Sequence, residues 1–355
     1  MSDELSKLRT RIDALDLEIL RLLNERAATA HAIGALKDDG VVYRPEREAY
    51  VLRRLAEQNS GPLSDKVVMH LFTEVISACR ALEDAFAVAS LGPKGTFSEE
   101  AVVKHFGGQV PVVLCPSIDE VFRSVESANV GYGVVPIENS TEGAIGRTLD
   151  LLLSTQLKIC GEVLLPVHQN LLSKGDDISA VRRIFSHAQS LAQCNRWLAL
   201  HCPGAQRVAV TSNAEAAKLA QEDLGSAAIA GRSAATHYSL AVLAENIEDE
   251  PNNTTRFVVI SSQEIAPSGR DKTSLVLSTR NVPGAIHEML APLAKNRVSM
   301  TRLESRPSRT GLWEYVFFLD MEGHQSETHV ARALTEMREL AAFLKILGSY
   351  PVAVQ

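Results

Sequence analysis

The stretch EPNNTTRFVVI, residues 250–260, sets two Asn, two Thr and one Arg directly before an apolar run. So many hydrogen-bonding groups beside a strand bound for a core fit either a turn or the edge of an active site. A second set of groups is cationic. Arg26 and Lys37 stand eleven residues apart in a segment of helical periodicity, close to three whole turns, and so share one face. Arg9 falls roughly a quarter-turn off that face. Taken singly, each cation fits a solvated or snorkelling side chain. Cys79, Cys115, Cys160, Cys194 and Cys202 are scattered without a CxxC pair, which suits free thiols in a reducing compartment. No His/Cys cluster has zinc spacing, and GPKGT at 92–96 lacks the spacing of a phosphate loop.

These groups need elements to hold them. A chain of 355 residues is expected to form more than one domain. Its 45% hydrophobic and 22% charged residues are those of an ordinary soluble globular protein. The net charge of -7, with no basic block, argues against a general nucleic-acid binder but leaves room for local basic pockets. No apolar run is long enough to span a bilayer and the polar N-terminus has no signal-type apolar core, so the expectation is a cytoplasmic protein away from membranes.

The first block, 1–84, reads as all-helical. Leu5, Leu8, Ile12, Leu15, Ile19, Leu22, Ile33 and Leu36 recur at three- and four-residue steps along one long helix. Pro45 opens a second helix, and SGPLSD at 60–65 breaks before a third. Three such helices cannot close a large core alone, and so long a first helix invites a second chain. The second block, 87–266, alternates strands and helices, with capping-box spacing at Thr96/Glu99, Ser117/Glu120 and Ser212/Glu215. Alternation of this kind means an α/β sheet, whose ligands sit outside the C-terminal strand ends, where polar loops lie here. After the linker APSGRD, residues 272–355 read β-α-β-β-α-β, the ferredoxin-like order.

LRTRIDALD, ERAATAHAIGALK, YRPEREAYVLRRL and LFTEVISACRALE together resemble the all-helical chorismate mutases. The resemblance implies two intertwined chains, with Arg9 crossing into the partner's site. It places Arg26, Arg47 and Glu48 on the substrate and gives Lys37 the breaking ether oxygen. The rearrangement is pericyclic, so such a site holds a compact conformer and stabilises charge rather than supplying a nucleophile. Arginine forks suit the two carboxylates of chorismate. The sequence departs from some members in having Cys79 for a serine and Glu83 for a glutamine that donates to the ether oxygen. A carboxylate donates only when protonated, so Glu83 is expected to hold a proton, or mutase activity to improve towards acid pH.

GPKGTFSEEA, VVPIENSTEGAIG, FSHAQSLAQCNRWL, AIAGRSAA and ENIEDEPNNTTRFVVI look like the prephenate dehydratase domain, in family order. That resemblance implies two α/β lobes around a cleft, similar to type II periplasmic binding proteins. It places Asn139, Ser186, Gln193 and Thr255 at catalytic or substrate-contacting positions, with Arg256 as the anion anchor. Asn252 and Asn253 fit a turn as well as a substrate contact. Glu138 fits a proton source or a structural pair, and His187 an acid or a scaffold residue. The third block, with PGAI at 283–286 and LESRP at 303–307, looks like an ACT regulatory domain. Phenylalanine is then expected near Gly284, Ala285, Ile286, Glu304, Ser305 and Arg306. The three resemblances together imply a bifunctional chorismate mutase/prephenate dehydratase under phenylalanine feedback. It would be a homodimer or higher homo-oligomer, with no metal, no organic cofactor and no nucleic-acid partner. Arogenate dehydratase and a non-catalytic amino-acid sensor are the alternatives.

Overall fold

The computed structural model of the chain describes residues 2–36, 41–83, 86–279, 282–307 and 315–354. The apolar spacing of the first block yields α1 (Ser2–Ala35), α2 (Pro45–Gln58) and α3 (Asp65–Arg80). Pro45 sits in the first turn of α2, where its missing N–H costs nothing. Ser64 caps α3 by accepting from the Val67 amide. Leu5, Leu8, Ile12, Leu15, Ile19 and Leu22 of α1 are 49–57% exposed, so most of its apolar stripe is uncovered within one chain.

The second block folds as two lobes. The first is built from β1 (Val88–Leu91), α4 (Phe97–Phe106), β2 (Val112–Cys115), α5 (Ile118–Glu126), β3 (Tyr132–Asn139), β4 (Gly143–Ala144), α6 (Gly146–Ser154) and β5 (Lys158–Pro166). The chain then crosses to β6 (Asn170–Ser173), β7 (Arg183–His187), α7 (Ala188–Gln193), α8 (Asn195–His201), β8 (Gln206–Val210), α9 (Asn213–Glu222), β9 (Ser226–Ala230), α10 (Arg232–Tyr238) and β10 (Ala241–Ala244). It returns to the first lobe as β11 (Thr254–Ser261). The sheet orders are β2-β1-β3-β11-β5, with β4 on β3, and β10-β6-β9-β7-β8. Because β11 runs antiparallel to β3, its N-terminal end lies beside the C-terminal end of β3. Thr255 therefore pairs with Asn139, and Arg256 with Glu138. The capping boxes form in part. Thr96, Ser117 and Ser212 each accept from the amide three residues on. Glu99 and Glu215, however, reach back to the amides of Gly95 and Thr211, one residue before the cap.

The third block forms β12 (Asp271–Ser278), α11 (Ala285–Lys295), β13 (Met300–Pro307), β14 (Tyr315–Glu322), α12 (Thr328–Leu340) and β15 (Phe343–Pro351), in the order β13-β14-β12-β15. One sheet face packs Leu275, Leu277, Leu319 and Met321 against the two helices. On the other face Val276, Phe318, Leu347 and Tyr350 join Ile159, Val258 and Ile260 of the first lobe in one core. Gly348 lies directly on the Ile159 carbonyl and leaves no room for a side chain.

A buried charge cluster closes the same interface. Arg256 Nε donates to Glu162 Oε2 at 2.9 Å, Nη1 to Asp320 Oδ2 at 2.5 Å and Nη2 to the Tyr350 hydroxyl at 2.8 Å. Lys272 Nζ adds a 2.7 Å bond to Glu162, and Arg302 Nε stands 3.0 Å from Glu138. Burial by itself lowers the Arg256 pKa, but Tyr350, Asp320 and Glu162 outweigh it and raise it. Asp320 is held below its usual range by Arg256 and Ser274, against the burial that opposes them.

The helical block is joined to the first lobe through Tyr43, 1% exposed and set into the core beside Phe106 and Tyr132. Its hydroxyl meets His105 Nε2 at 2.5 Å. Burial first, and Arg80 second, press the His105 pKa down to about 3, so the ring is neutral.

Candidate active sites

The three N-terminal helices enclose a cavity of ≈ 710 Å³ whose polar lining includes Arg26, Arg44, Arg47, Glu48, Arg80 and Glu83. Arg26 Nη1 approaches Cys79 Sγ at 2.9 Å, which ties the long helix to α3. Arg47 leans over the Tyr50 ring, 5.5 Å from its centre. Glu48 holds Arg80 through two bonds of 2.7 and 3.0 Å. Burial raises the Glu48 pKa against the pull of Arg80 and Arg26. Gly34 of α1 lies against Glu83; a Cβ there would stand 2.9 Å from Glu83 Cγ.

The sequence thus places Arg26, Arg47, Glu48 and Glu83 around one cavity. Lys37 lies outside the described residues. Arg9 is exposed and sits seventeen residues before Arg26 on the same helix, about 25 Å away at 1.5 Å per residue, so it does not reach this cavity in its own chain. Arg44 and Arg80 were missed. Arg80 had a signal, since it follows Ile76 by four residues on the buried face of α3, and a cation there must be paired. Its guanidinium also lies 5.4–5.6 Å from the rings of Tyr43, Phe86 and Phe106, at the joint with the first lobe.

Between the two lobes lies a cleft of ≈ 230 Å³. Asn139, Gln193, Asn253 and Thr255 line it, together with Thr96, Phe97, His187, Ser190 and Asn213 from helix starts. Asn139 fixes the geometry. Its Oδ1 accepts from the amides of Thr141 and Glu142 at 3.1 and 3.2 Å and from the Thr141 hydroxyl at 2.6 Å. Its Nδ2 must then face the other way, and it donates to Asn253 Oδ1 and Thr255 Oγ1, both at 2.8 Å. Asn253 Nδ2 donates to Gln193 Oε1 at 3.2 Å, and Gln193 Nε2 to Thr141 Oγ1 at 3.2 Å. Four side chains so form a closed ring in which every donor points the same way round, and Gln193 carries it across from the second lobe. Because Thr255 Oγ1 accepts from Asn139, its own proton is left for the cleft.

Two expectations for this region are corrected. Arg256 does not anchor an anion in the cleft: strand alternation turns its side chain away from Thr255, into Glu162, Asp320 and Tyr350. Ser186 is fully buried behind the wall, and its hydroxyl binds Asn213 Oδ1 and the Ile229 carbonyl at 2.9 Å. It acts on the cleft only through Asn213, whose Nδ2 continues to Ser190 Oγ. In the ACT unit Arg306 lies 3.4 Å from Asp150 of α6 and packs on Gly146. The open alternatives also divide. Asn252 is exposed and uses its carbonyl in the turn, while Asn253 is buried in the ring. Glu138 pairs with Arg302, and His187 caps α7 by accepting from the Gln189 amide. In the C-terminal unit, Gly284 takes φ +83° to open α11 at Ala285 and Ile286, a conformation that favours glycine. Glu304 and Ser305 stand on the edge strand β13.

Among the residues lining the cleft there is no Lys or Arg. The N-termini of α4 and α9, ten residues each, open onto it instead and supply partial positive charge.

Comparison with known proteins agrees with this division. Residues 88–265 match the family model for prephenate dehydratase, 8–84 that for chorismate mutase type II and 273–339 that for the ACT domain. A bifunctional chorismate mutase/prephenate dehydratase of Neisseria gonorrhoeae is 54% identical, over 98% of this chain and 96% of that one. Another from Pseudomonas aeruginosa is 50% identical, over 99% of both. A solved prephenate dehydratase of Arthrobacter aurescens, in complex with L-phenylalanine, superposes with a TM-score of 0.69 at 34% identity, over 75% of this chain and 89% of that one. With one cation-lined cavity and one neutral cleft on a single chain, the molecule is a multidomain enzyme with two separate sites. It belongs to the bifunctional chorismate mutase/prephenate dehydratase family, and carries both the isomerase and the lyase activity.

Proposed function

We propose how the residues divide this work. In the helical unit, 1–84, Arg26 and Arg47 take the carboxylates of chorismate, Glu48 is held for the substrate by Arg80, and Lys37 and Glu83 serve the ether oxygen. Arg9 of a second copy closes the site, so the working species is a homodimer or a larger homo-oligomer. The half-exposed apolar stripe of α1 supports that reading. In the α/β unit, 87–266, Thr255 donates to the departing ring hydroxyl of prephenate, with Asn139 and Gln193 holding it through the ring. The starts of α4 and α9 take the carboxylates in place of Arg256. A neutral site of this kind binds the leaving carboxylate without overstabilising it. In the ACT unit, 272–355, phenylalanine binds near Gly284, Ala285, Ile286, Glu304, Ser305 and Arg306. The relative solved with L-phenylalanine supports a regulatory role. We place the chain in the cytoplasm, with no metal or organic cofactor.

The observation that carries the dehydratase assignment is the fixed Asn139 amide, which leaves the Thr255 proton facing the cleft. Removing such a donor costs about 3–4 kcal/mol, so Thr255→Ala is expected to lower dehydratase turnover by a factor on the order of a hundred or more. Mutase turnover in the same preparation should stay unchanged. The assay supplies chorismate and follows prephenate and phenylpyruvate, with and without phenylalanine. Near-normal phenylpyruvate formation by Thr255→Ala would remove the assignment. A higher kcat/KM for arogenate than for prephenate would favour the rival substrate.

A further inference from the structure

Gln169 stands where the chain first crosses between the lobes, just before β6, and is one of the residues lining the cleft. It is 1% exposed. Its Nε2 donates to Ser190 Oγ at 3.1 Å and approaches Gln193 Oε1 at 3.5 Å. Its Oε1 is buried and has no partner. The opposite orientation of the amide would set two amide oxygens against each other, because Gln193 Oε1 already accepts from Asn253 Nδ2. Buried acceptors are nearly always satisfied, so an open one in a substrate cleft points to a donor that arrives with the substrate.

We propose that Gln169 is a substrate-binding residue of the dehydratase site, whose Oε1 accepts a hydrogen bond from the ring hydroxyl of prephenate. Near neutral pH both carboxylates and the keto oxygen of prephenate can only accept. The ring hydroxyl is its one donor, and therefore the one group that matches an open acceptor. This contact fixes the hydroxyl rotor and turns its lone pairs towards the Thr255 proton. The oxygen leaves with its own hydrogen as the C–O bond breaks. The electron pair from the bond to the departing carbon dioxide completes the aromatic ring. Gln169 thus orients the leaving group, and Thr255 meets the charge it gains. The inference rests on the reading of this cleft as the dehydratase site.

The test uses the full chain and two unreactive cyclohexane analogues of prephenate, one with the ring hydroxyl and one with hydrogen in its place. Competitive inhibition of the dehydratase is measured for the natural chain and for Gln169→Met. The natural chain should bind the hydroxylated analogue about fivefold to tenfold more tightly, the worth of one ordinary hydrogen bond. Gln169→Met should bind both alike and lose about tenfold in kcat on prephenate. Its mutase turnover, unchanged, reports that the chain is folded. Should Gln169→Met not fold, Gln169→Glu keeps the acceptor and should keep the hydroxyl preference while raising KM for the dianion. An undiminished hydroxyl preference in Gln169→Met overturns the proposal, as does a natural chain that does not distinguish the analogues. A changed prephenate-to-arogenate ratio with the preference intact overturns it too, because it moves the amide to the side-chain end of the substrate. The Thr255 reading fails separately: there Thr255→Ala keeps its turnover while the Gln169 effects persist.

Discussion

At the scale of single residues, the cleft shows how neutral groups acquire direction. Asn139 is oriented by two backbone amides, and that choice passes through Asn253, Gln193 and Thr141 back to its own oxygen. Thr255 is active in this scheme because its acceptor side is already occupied. The sequence placed Asn252 and Asn253 side by side with equal claims; one residue of offset buries one and exposes the other. In the mutase cavity, Glu83 can donate to an ether oxygen only while protonated. Glu83→Gln, whose amide donates without needing an added proton, is therefore expected to keep mutase turnover, and a large loss in that variant counts against the role. His105 gives a pH effect on stability. Its folded pKa of about 3 lies below the usual value near 6.5, so the unfolded chain binds the extra proton between them. The stability it contributes is complete above about pH 6.5 and is lost as the pH falls towards 3, by about 2 kcal/mol between pH 7 and pH 5. Denaturant titration of the natural chain and His105→Gln at those two pH values measures the difference, which the variant should lack.

At the scale of elements, the pair β3 and β11 does two jobs on two faces. Asn139 and Thr255 face the cleft, while their neighbours Glu138 and Arg256 face the C-terminal sheet. The period of two along a strand puts Thr255 and Arg256 on opposite faces, but it does not say which face meets the cleft. What the sequence did not show is that the far face is covered by another unit carrying Asp320, Tyr350 and Arg302, which arrive from strands more than forty residues away. Arg256→Met leaves Glu162 and Asp320 short of a cation in a buried site, and breaking such a pair costs about 3–5 kcal/mol. The midpoint of thermal unfolding of the dehydratase–ACT part should fall by several degrees, which scanning calorimetry would detect. An unchanged midpoint would mean that solvent reaches the cluster.

At the scale of the whole molecule, the long helix leaves one task undone. Its first half carries an apolar stripe and Arg9 away from the cavity that its second half lines. If a second copy supplies Arg9, then Arg9→Ala and Arg26→Ala chains are each weak mutases alone. Mixed in equal amounts and allowed to exchange, they should recover about a quarter of the natural activity, because half of the pairs are hybrids and each hybrid holds one intact site. No recovery after proven exchange would place Arg9 outside the site. The sequence by itself determined the three units and their element order, because periodicity, caps and local motifs are written within a few residues of one another. Only the tertiary structure decided which face each side chain serves. Arg256 and Arg306 became links between units, Ser186 a support behind the wall, and Gln169 and Arg80 part of the cleft and cavity linings. Those outcomes depend on what packs across a strand or helix from distant parts of the chain, which no local pattern records.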